Sequence, residues 1–339
     1  MRVFKLGDRG QEIVDIQFRL TALGAVIDGA ERDGTFGPST EIAVRAFQQD
    51  RHLRVDGLVG SDTWQQLVEA GWRLGDRTLY IRAPMFRGDD VLDLQRKLNA
   101  LGFDAGKEDG LYGPRTDAAL RQFQRNVGDE PDGVVGPHTL SVIRRMRPLE
   151  AGPSRAMVRE REELTVPRAP IEGRVVVVDV GDGPEDGSDV HRRAAEIVVA
   201  ELRAAGADAR MIPVDGDPRS PSDRARAAND ADASAIVTIE LTMREDEGGP
   251  ACSYFGSRTT HSPSGLALAQ LILEELEAAL ELPGHVQPLT IAQLRETRMP
   301  AVQVELIVGP RERARFAHPE APSSVGRAVA AGIRRFFSG

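Results

Sequence analysis

The sequence predicts a multidomain chain: two small all-α three-helix modules followed by an α/β domain with a mostly parallel sheet flanked by helices. Three observations carry this expectation. Three segments of the first half recur in the same order: "DIQFRLTALG" (15–24) as "DLQRKLNALG" (93–102), "DGTFGPSTEIAVRAFQQ" (33–49) as "DGLYGPRTDAALRQFQR" (109–125), and "VDGLVGSDTW" (55–64) as "PDGVVGPHTL" (131–140). Shared order over such a length marks a duplication. A charged, proline-bearing stretch follows, and beyond it apolar runs alternate with helical patterns. The expected boundaries are 1–75 and 76–146 for the repeats, 147–171 for a linker and 172–339 for the α/β domain.

Within the first repeat Ile13, Ile16, Gln17 and Leu20 fall at helical spacing, Leu23 follows, and Gly24 is the stop. Pro38 suits a first helical turn, where its missing N–H would have been unpaired anyway. Val44 and Phe47 continue an apolar face. Asp33-Gly34 and Asp56-Gly57 are turn signals. The second repeat restates the pattern with Leu94, Leu98, Leu101, Pro114, Leu120 and Phe123. Residues 147–171 read as a linker with a helical piece around Val158 to Leu164. Then come a strand at Val175–Asp179, a helix at Val190–Ala205, a strand at Ala209–Val214 and a helix at Ser222–Asp230. A strand at Ala235–Leu241, a helix at Gly265–Leu280, a strand at Ala301–Val308 and a helix at Ser324–Phe337 complete the pattern.

With 339 residues, a net charge of −9 and 41% hydrophobic residues, the chain has the composition of a globular protein and not of a general nucleic-acid binder. Cys252 is the only cysteine, which rules out an internal disulfide. No apolar run reaches the roughly 20 residues that span a bilayer. The start "MRVFKLGDRG" has no basic region leading into an apolar one, and the expected compartment is the cytoplasm.

The repeats resemble the peptidoglycan-binding domain family over residues 3–71 and 81–146, through the D-G-x-[FY]-G-P-x-T and [VP]-D-G-x-V-G segments quoted above. That resemblance implies binding to the peptide or sugar parts of cell-wall material. The loop residues Asp33, Gly34, Phe36, Gly37, Asp109, Gly110, Tyr112 and Gly113 are the candidates for a ligand groove. Two other readings stay open: turn geometry alone explains the glycines, and the aromatics serve equally well as core.

Residues 172–339 resemble the zinc-dependent N-acetylmuramoyl-L-alanine amidases of the amidase_3 type. The resemblance runs through the loop at 179–187, "RSPSDRARAANDADASAIVTIE" (219–240) and "LRETRMPAVQVELIVG" (294–309). It implies cleavage of the amide between muramic acid and L-alanine, at a metal held by two histidines and a glutamate. This chain departs from that pattern. Asp182 stands where the D-P-G-H-G-G loop has its histidine. The glutamate position falls near Gly187 or Ser188. Glu240 ends the strand that the family ends in I-S-I-H. Only Glu305, after P-A-V-x-V, keeps the family's catalytic residue. Zinc sites favour nitrogen and sulfur ligands, so the expectation is no cofactor. Without the ion nothing lowers the pKa of a bound water from about 15.7 toward 7.

Three substitutes remain: His191 as a stand-in ligand against its reading as a solvated helix histidine, a hard cation such as Mg²⁺ or Ca²⁺ on the carboxylates against a hydrated acidic cleft, and Cys252 as nucleophile against its reading as a buried thiol. The chain also looks similar to actinobacterial amidase homologues that have lost their zinc ligands and regulate peptidoglycan precursor synthesis. That resemblance implies a pseudoenzyme. Its partners would be a peptidoglycan precursor or muropeptide and cell-wall synthesis proteins, the enolpyruvyl transferase of the first committed step among them. The alternatives are an active amidase with an atypical metal site and a protein adaptor that binds no muropeptide.

Overall fold

The computed structural model describes residues 2–146, 155–165, 170–181, 189–212, 220–245, 248–258 and 260–338. The chain divides into two compact units, Met1–Arg159 with Arg258–Thr260, and Glu160–Ser257 with His261–Gly339.

The first unit holds both repeats. Helices α1 (Gln11–Ala22), α2 (Pro38–Asp50) and α3 (Ser61–Glu69) form the first; α4 (Asp89–Ala100), α5 (Pro114–Val127) and α6 (Pro137–Arg145) form the second. The apolar residues at helical spacing are the ones buried, among them Ile13, Ile16, Leu20 and Val44, and Leu94, Leu98, Leu120 and Phe123. Proline opens α2, α5 and α6, as expected of residues whose N–H is dispensable there. A bidentate ion pair from the Arg51 guanidinium to the Asp89 carboxylate, at 2.8 and 2.9 Å, ties the first repeat to the second. Helix α7 (Arg155–Thr165) corresponds to the helical piece expected in the linker.

The second unit is a six-stranded sheet of order β2-β1-β3-β6-β4-β5. Its strands are β1 (Val175–Val180), β2 (Asp208–Met211), β3 (Ala235–Met243), β4 (Gly249–Phe255), β5 (His285–Leu289) and β6 (Ala301–Val308). Strands β2, β1, β3 and β6 run parallel, whereas β4 pairs antiparallel with β6 and parallel with β5. The sheet is therefore mostly parallel, with two reversed strands at one edge that the sequence pattern did not reveal. Val176, Val178 and Val180 pack with α8 (Val190–Ala204), α10 (Pro263–Leu280) and α13 (Ala321–Ser338). Val177 and Ile236, on the opposite face, pack with α9 (Pro221–Asp230) and α11 (Ala292–Glu296). Both faces of the parallel strands are thus covered, which is why Val175 to Val178 of β1 read as a continuous apolar run. The four-residue α12 (Arg313–Phe316) precedes α13.

Candidate functional site

Side chains alternate along a strand, so the face that begins with Val177 and Ile236 continues through Asp179, Thr238, Glu240, Gln303 and Glu305. Asp179 is the next-to-last residue of β1, and Thr238 and Glu240 lie midway along β3 as Gln303 and Glu305 do in the first five residues of β6. Helix α9 brings Arg224 to this face and α11 brings Gln293. Glu240 and Glu305 are register partners on adjacent strands.

The set is buried and knit together. Asp179, 2% exposed, accepts hydrogen bonds at Oδ2 from Arg224 Nη1 (3.1 Å), Thr238 Oγ1 (3.3 Å) and Gln293 Nε2 (2.8 Å). Arg224 Nη1 also donates to the Val180 carbonyl at 2.8 Å. Gln293 reaches Thr238 Oγ1 as well, and Gln303 donates from Nε2 to Glu240 Oε2. Glu305, 2% exposed, has the Arg244 guanidinium at 3.4 Å from Oε1. Gly181 passes so close to Glu240 that a Cβ there would overlap its side chain, so the chain after β1 needs glycine at this point.

These contacts decide what the described part of the site can do. Buried carboxylates require partners, and here amides and guanidinium groups supply them. The two carboxylates expected from the sequence at the family's metal and catalytic positions, Glu240 and Glu305, offer only oxygen, and protein side chains engage both. A zinc site with nitrogen donors does not fit this set. No cluster of three or more His, Cys, Asp or Glu side chains suited to a metal ion occurs among the described residues. Asp182 and Gly187, expected at the other metal positions, lie outside them.

Two of the substitutes are also placed. His191 is not the solvated helix residue expected from the sequence. It is 7% exposed in the first turn of α8, because Val190, Ala194 and Ala195 around it all pack inward. Cys252 lies wholly buried in β4, where burial above all, then the nearby Glu277, pushes its thiol well above the ordinary range. A thiolate nucleophile is disfavoured there.

In the repeats the candidate groove residues resolve into turns and core. Phe36 and Tyr112 are both 0% exposed, so neither ring is open to a ligand. They carry the apolar centre of each small module, and Tyr112 spends its hydroxyl on the Gly133 carbonyl at 2.9 Å. Asp33 accepts from the Thr35 N–H at 3.2 Å and Asp109 from the Leu111 N–H at 2.9 Å, each closing its own turn. Gly34 and Gly110 have φ of +92° and +74°, which explains glycine there. Gly37 and Gly113 are extended residues preceding α2 and α5.

What holds these loops is a set of four buried glutamines whose part the sequence reasoning missed. Gln95 Oε1 accepts from the Gly110 N–H at 2.8 Å while its Nε2 donates to Asp109, Leu111 and Thr116. Gln48 serves the Asp56-Gly57 loop the same way, accepting from the Gly57 N–H at 2.8 Å, and Gln124 the Asp132-Gly133 loop at 2.9 Å. Gln17 donates to the Glu31 and Thr35 carbonyls. The available signal was their recurrence at equivalent places, Gln17 with Gln95 and Gln48 with Gln124, on helix faces that are otherwise apolar.

Comparison with known proteins agrees with this division. Residues 9–67 and 87–143 match the putative peptidoglycan binding domain, and residues 176–335 match the N-acetylmuramoyl-L-alanine amidase domain. The chain is similar to N-acetylmuramoyl-L-alanine amidase CwlM of Mycobacterium tuberculosis, with 34% identity over 98% of this chain and 89% of the relative. It is 31% identical to a probable N-acetylmuramoyl-L-alanine amidase of Bacillus licheniformis, over 40% of this chain and 43% of that one. Among solved structures, N-acetylmuramoyl-L-alanine amidase AmiC2 of Nostoc punctiforme aligns with 50% of this chain and 99% of its own, at 22% identity and a TM-score of 0.44. The chain belongs to the N-acetylmuramoyl-L-alanine amidase family, with two putative peptidoglycan binding domains ahead of its amidase domain.

Proposed function

We propose that this protein is a peptidoglycan-related binding and regulatory protein whose amidase domain is a pseudoenzyme. It acts in the cytoplasm on cell-wall precursor synthesis. The observation that carries the proposal is that protein side chains engage both carboxylates, Glu240 through a hydrogen bond from the Gln303 amide and Glu305 through the Arg244 guanidinium. Carboxylates that serve a metal or activate water must present lone pairs to the reacting centre; here protein donors occupy that role. Asp182 and Gly187 at the other metal positions support the same reading, since neither residue type completes a nitrogen-rich site. Binding then falls to the two repeats, with a peptidoglycan precursor or muropeptide as ligand. The protein partners are those of cell-wall synthesis, and the enolpyruvyl transferase of the first committed step is the one to test first.

Complementation of a deletion strain tests this reading. Glu305→Ala removes the one residue retained from the family's catalytic set and is expected to restore growth as well as the unmodified protein does. Failure to complement by a Glu305→Ala protein that folds normally would favour the active amidase instead.

A further inference from the structure

The extended segment that leads into each repeat differs between the two in length and in charge. It runs between two isolated bridges, Phe4 with Val59 and Arg9 with Thr35 in the first repeat, Leu79 with Val135 and Arg87 with Leu111 in the second. Residues 5–8 separate the bridges in the first repeat and residues 80–86 in the second, so the second segment is longer by three. The residue whose carbonyl accepts from the N–H of the motif ring is Asp8 in the first repeat, from Phe36, and Phe86 in the second, from Tyr112. An acid in one repeat is thus a ring in the other.

In the first repeat that acid balances the local charge. Asp8 accepts from the Lys5 N–H at 2.9 Å and pairs with Arg2 at 3.6 Å. In the second repeat residues 77–88 hold Arg77, Arg82 and Arg87 and no Asp or Glu, within a chain of net charge −9. The flanking acids are already engaged: Asp76 by the Arg73 N–H, Asp89 by Arg51 and Asp90 by Arg77. Arg77 is engaged in turn, donating to the buried Asp90 at 2.7 and 3.0 Å and stacking 4.4 Å from the centre of the Trp72 ring and 4.8 Å from that of Phe86.

Arg82 differs from these. Its guanidinium stands 3.9 Å from the centre of the Phe86 ring, the residue is exposed, and it has no hydrogen-bond or carboxylate partner among the described residues. Phe86 also carries Tyr80 at its edge, with ring centres 5.3 Å apart and planes at 82°. Phe86 is buried, whereas Tyr80 is 42% exposed and its hydroxyl has no partner among the described residues. One buried ring thus fixes both an unpaired guanidinium and an open aromatic ring. The first repeat forms the same three helices without either: its shorter segment has no counterpart of Arg82, and Lys5 follows Phe4 where Tyr80 follows Leu79.

A guanidinium presents a fixed fork of N–H donors suited to phosphate, and an open ring offers its face to a nucleobase. An anion without a ring leaves Tyr80 unused, and an uncharged ring leaves Arg82 unused. We propose that Tyr80, Arg82 and Phe86 form a site for a nucleoside diphosphate, with the base on Tyr80 and the phosphates on Arg82. The choice of a nucleotide among ring-bearing anions rests on the precursor-synthesis reading above, because joining sugars requires an activated leaving group such as a nucleoside diphosphate.

The test titrates the full chain with UDP by calorimetry, beside uridine and inorganic pyrophosphate at the same ionic strength. UDP is expected to bind at least tenfold more tightly than either fragment, and less tightly as salt is raised. Arg82→Met keeps an unbranched apolar stem over Phe86, so the unfolding temperature should hold while UDP affinity falls at least tenfold. Arg2→Met, at the paired arginine of the first repeat, should change neither. If Arg82→Met proves unstable, Tyr80→Leu is the second variant: it removes the ring face and should weaken UDP at least threefold while leaving pyrophosphate unchanged. Pyrophosphate binding as tight as that of UDP, wild-type UDP affinity in a folded Arg82→Met or Tyr80→Leu protein, or no UDP binding at millimolar concentration would each overturn the proposal. The Glu305→Ala complementation above judges the underlying reading separately. Complementation without UDP binding removes the site and leaves that reading standing, whereas UDP binding without complementation keeps the site and removes the reading.

Discussion

Gln48 in the helical half and Glu305 in the α/β half are equally hidden, 1% and 2% exposed, yet their partners differ in kind. Gln48 is matched to turn atoms of its own loop: the Gly57 N–H, the Leu58 carbonyl and the Asp56 carboxylate. Glu305 is matched to a guanidinium on a side chain 41% exposed. In the repeats, buried polarity fixes backbone, and the recurring motif residues are the fixed points. In the amidase domain, buried polarity sits on one face of β1, β3 and β6 and is met by other side chains. Motif retention therefore means different things in the two halves. In one it preserves a fold, and in the other it preserves the position of a set of carboxylates.

The largest effect is expected on the helical side of this contrast. Gln48→Leu strands the Gly57 N–H and the Thr63 hydroxyl that the amide now reaches. Each buried group left unmatched costs about 1–3 kcal/mol, so the loss should be about 2–4 kcal/mol in urea unfolding. A change below about 1 kcal/mol would mean that the turn holds itself. On the α/β side, Arg224→Met leaves Asp179 without its cation but with Thr238 and Gln293 still donating. Breaking a fully buried pair costs about 3–5 kcal/mol. Because Arg224 keeps 19% of its side-chain surface exposed, about 1–3 kcal/mol is expected here. Adding Asp179→Asn should recover part of that loss. Absence of recovery would show that Arg224 acts through packing and not through charge.

Much of the architecture was legible because it depends on patterns that burial imposes. The apolar run of β1, the mostly apolar β6 and the Gly-Pro starts of α2 and α5 fall where the structure has them. Strands β4 and β5 escaped for physical reasons. "GPACSYF" opens with glycine and proline, and "HVQPL" is a short, polar edge strand with Pro288 inside it, as edge strands tolerate. The predicted Ala209–Val214 strand ends earlier, with β2 at Met211; residues 213 and 214 lie outside the described ones. At the site, Glu240 and Glu305 could be aligned with a family pattern from the sequence, whereas Arg224, Arg244, Gln293 and Gln303 could not. They come from other elements, and nothing in their spacing marks them as partners of a carboxylate. For Phe36 and Tyr112 the motif leaves groove and core both open; two small modules need large rings at their centres, and both rings are buried there.

On the proposed reading, the amidase domain supports association and not amide hydrolysis. The most direct measurement takes one preparation of the full chain, purified without chelator. Its zinc content is determined by elemental analysis, and the release of L-alanine-terminated peptides from peptidoglycan is followed with added Zn²⁺. The account predicts far less than one zinc per chain and no peptide release above background. Near-stoichiometric zinc together with peptide release that Glu305→Ala abolishes would contradict it.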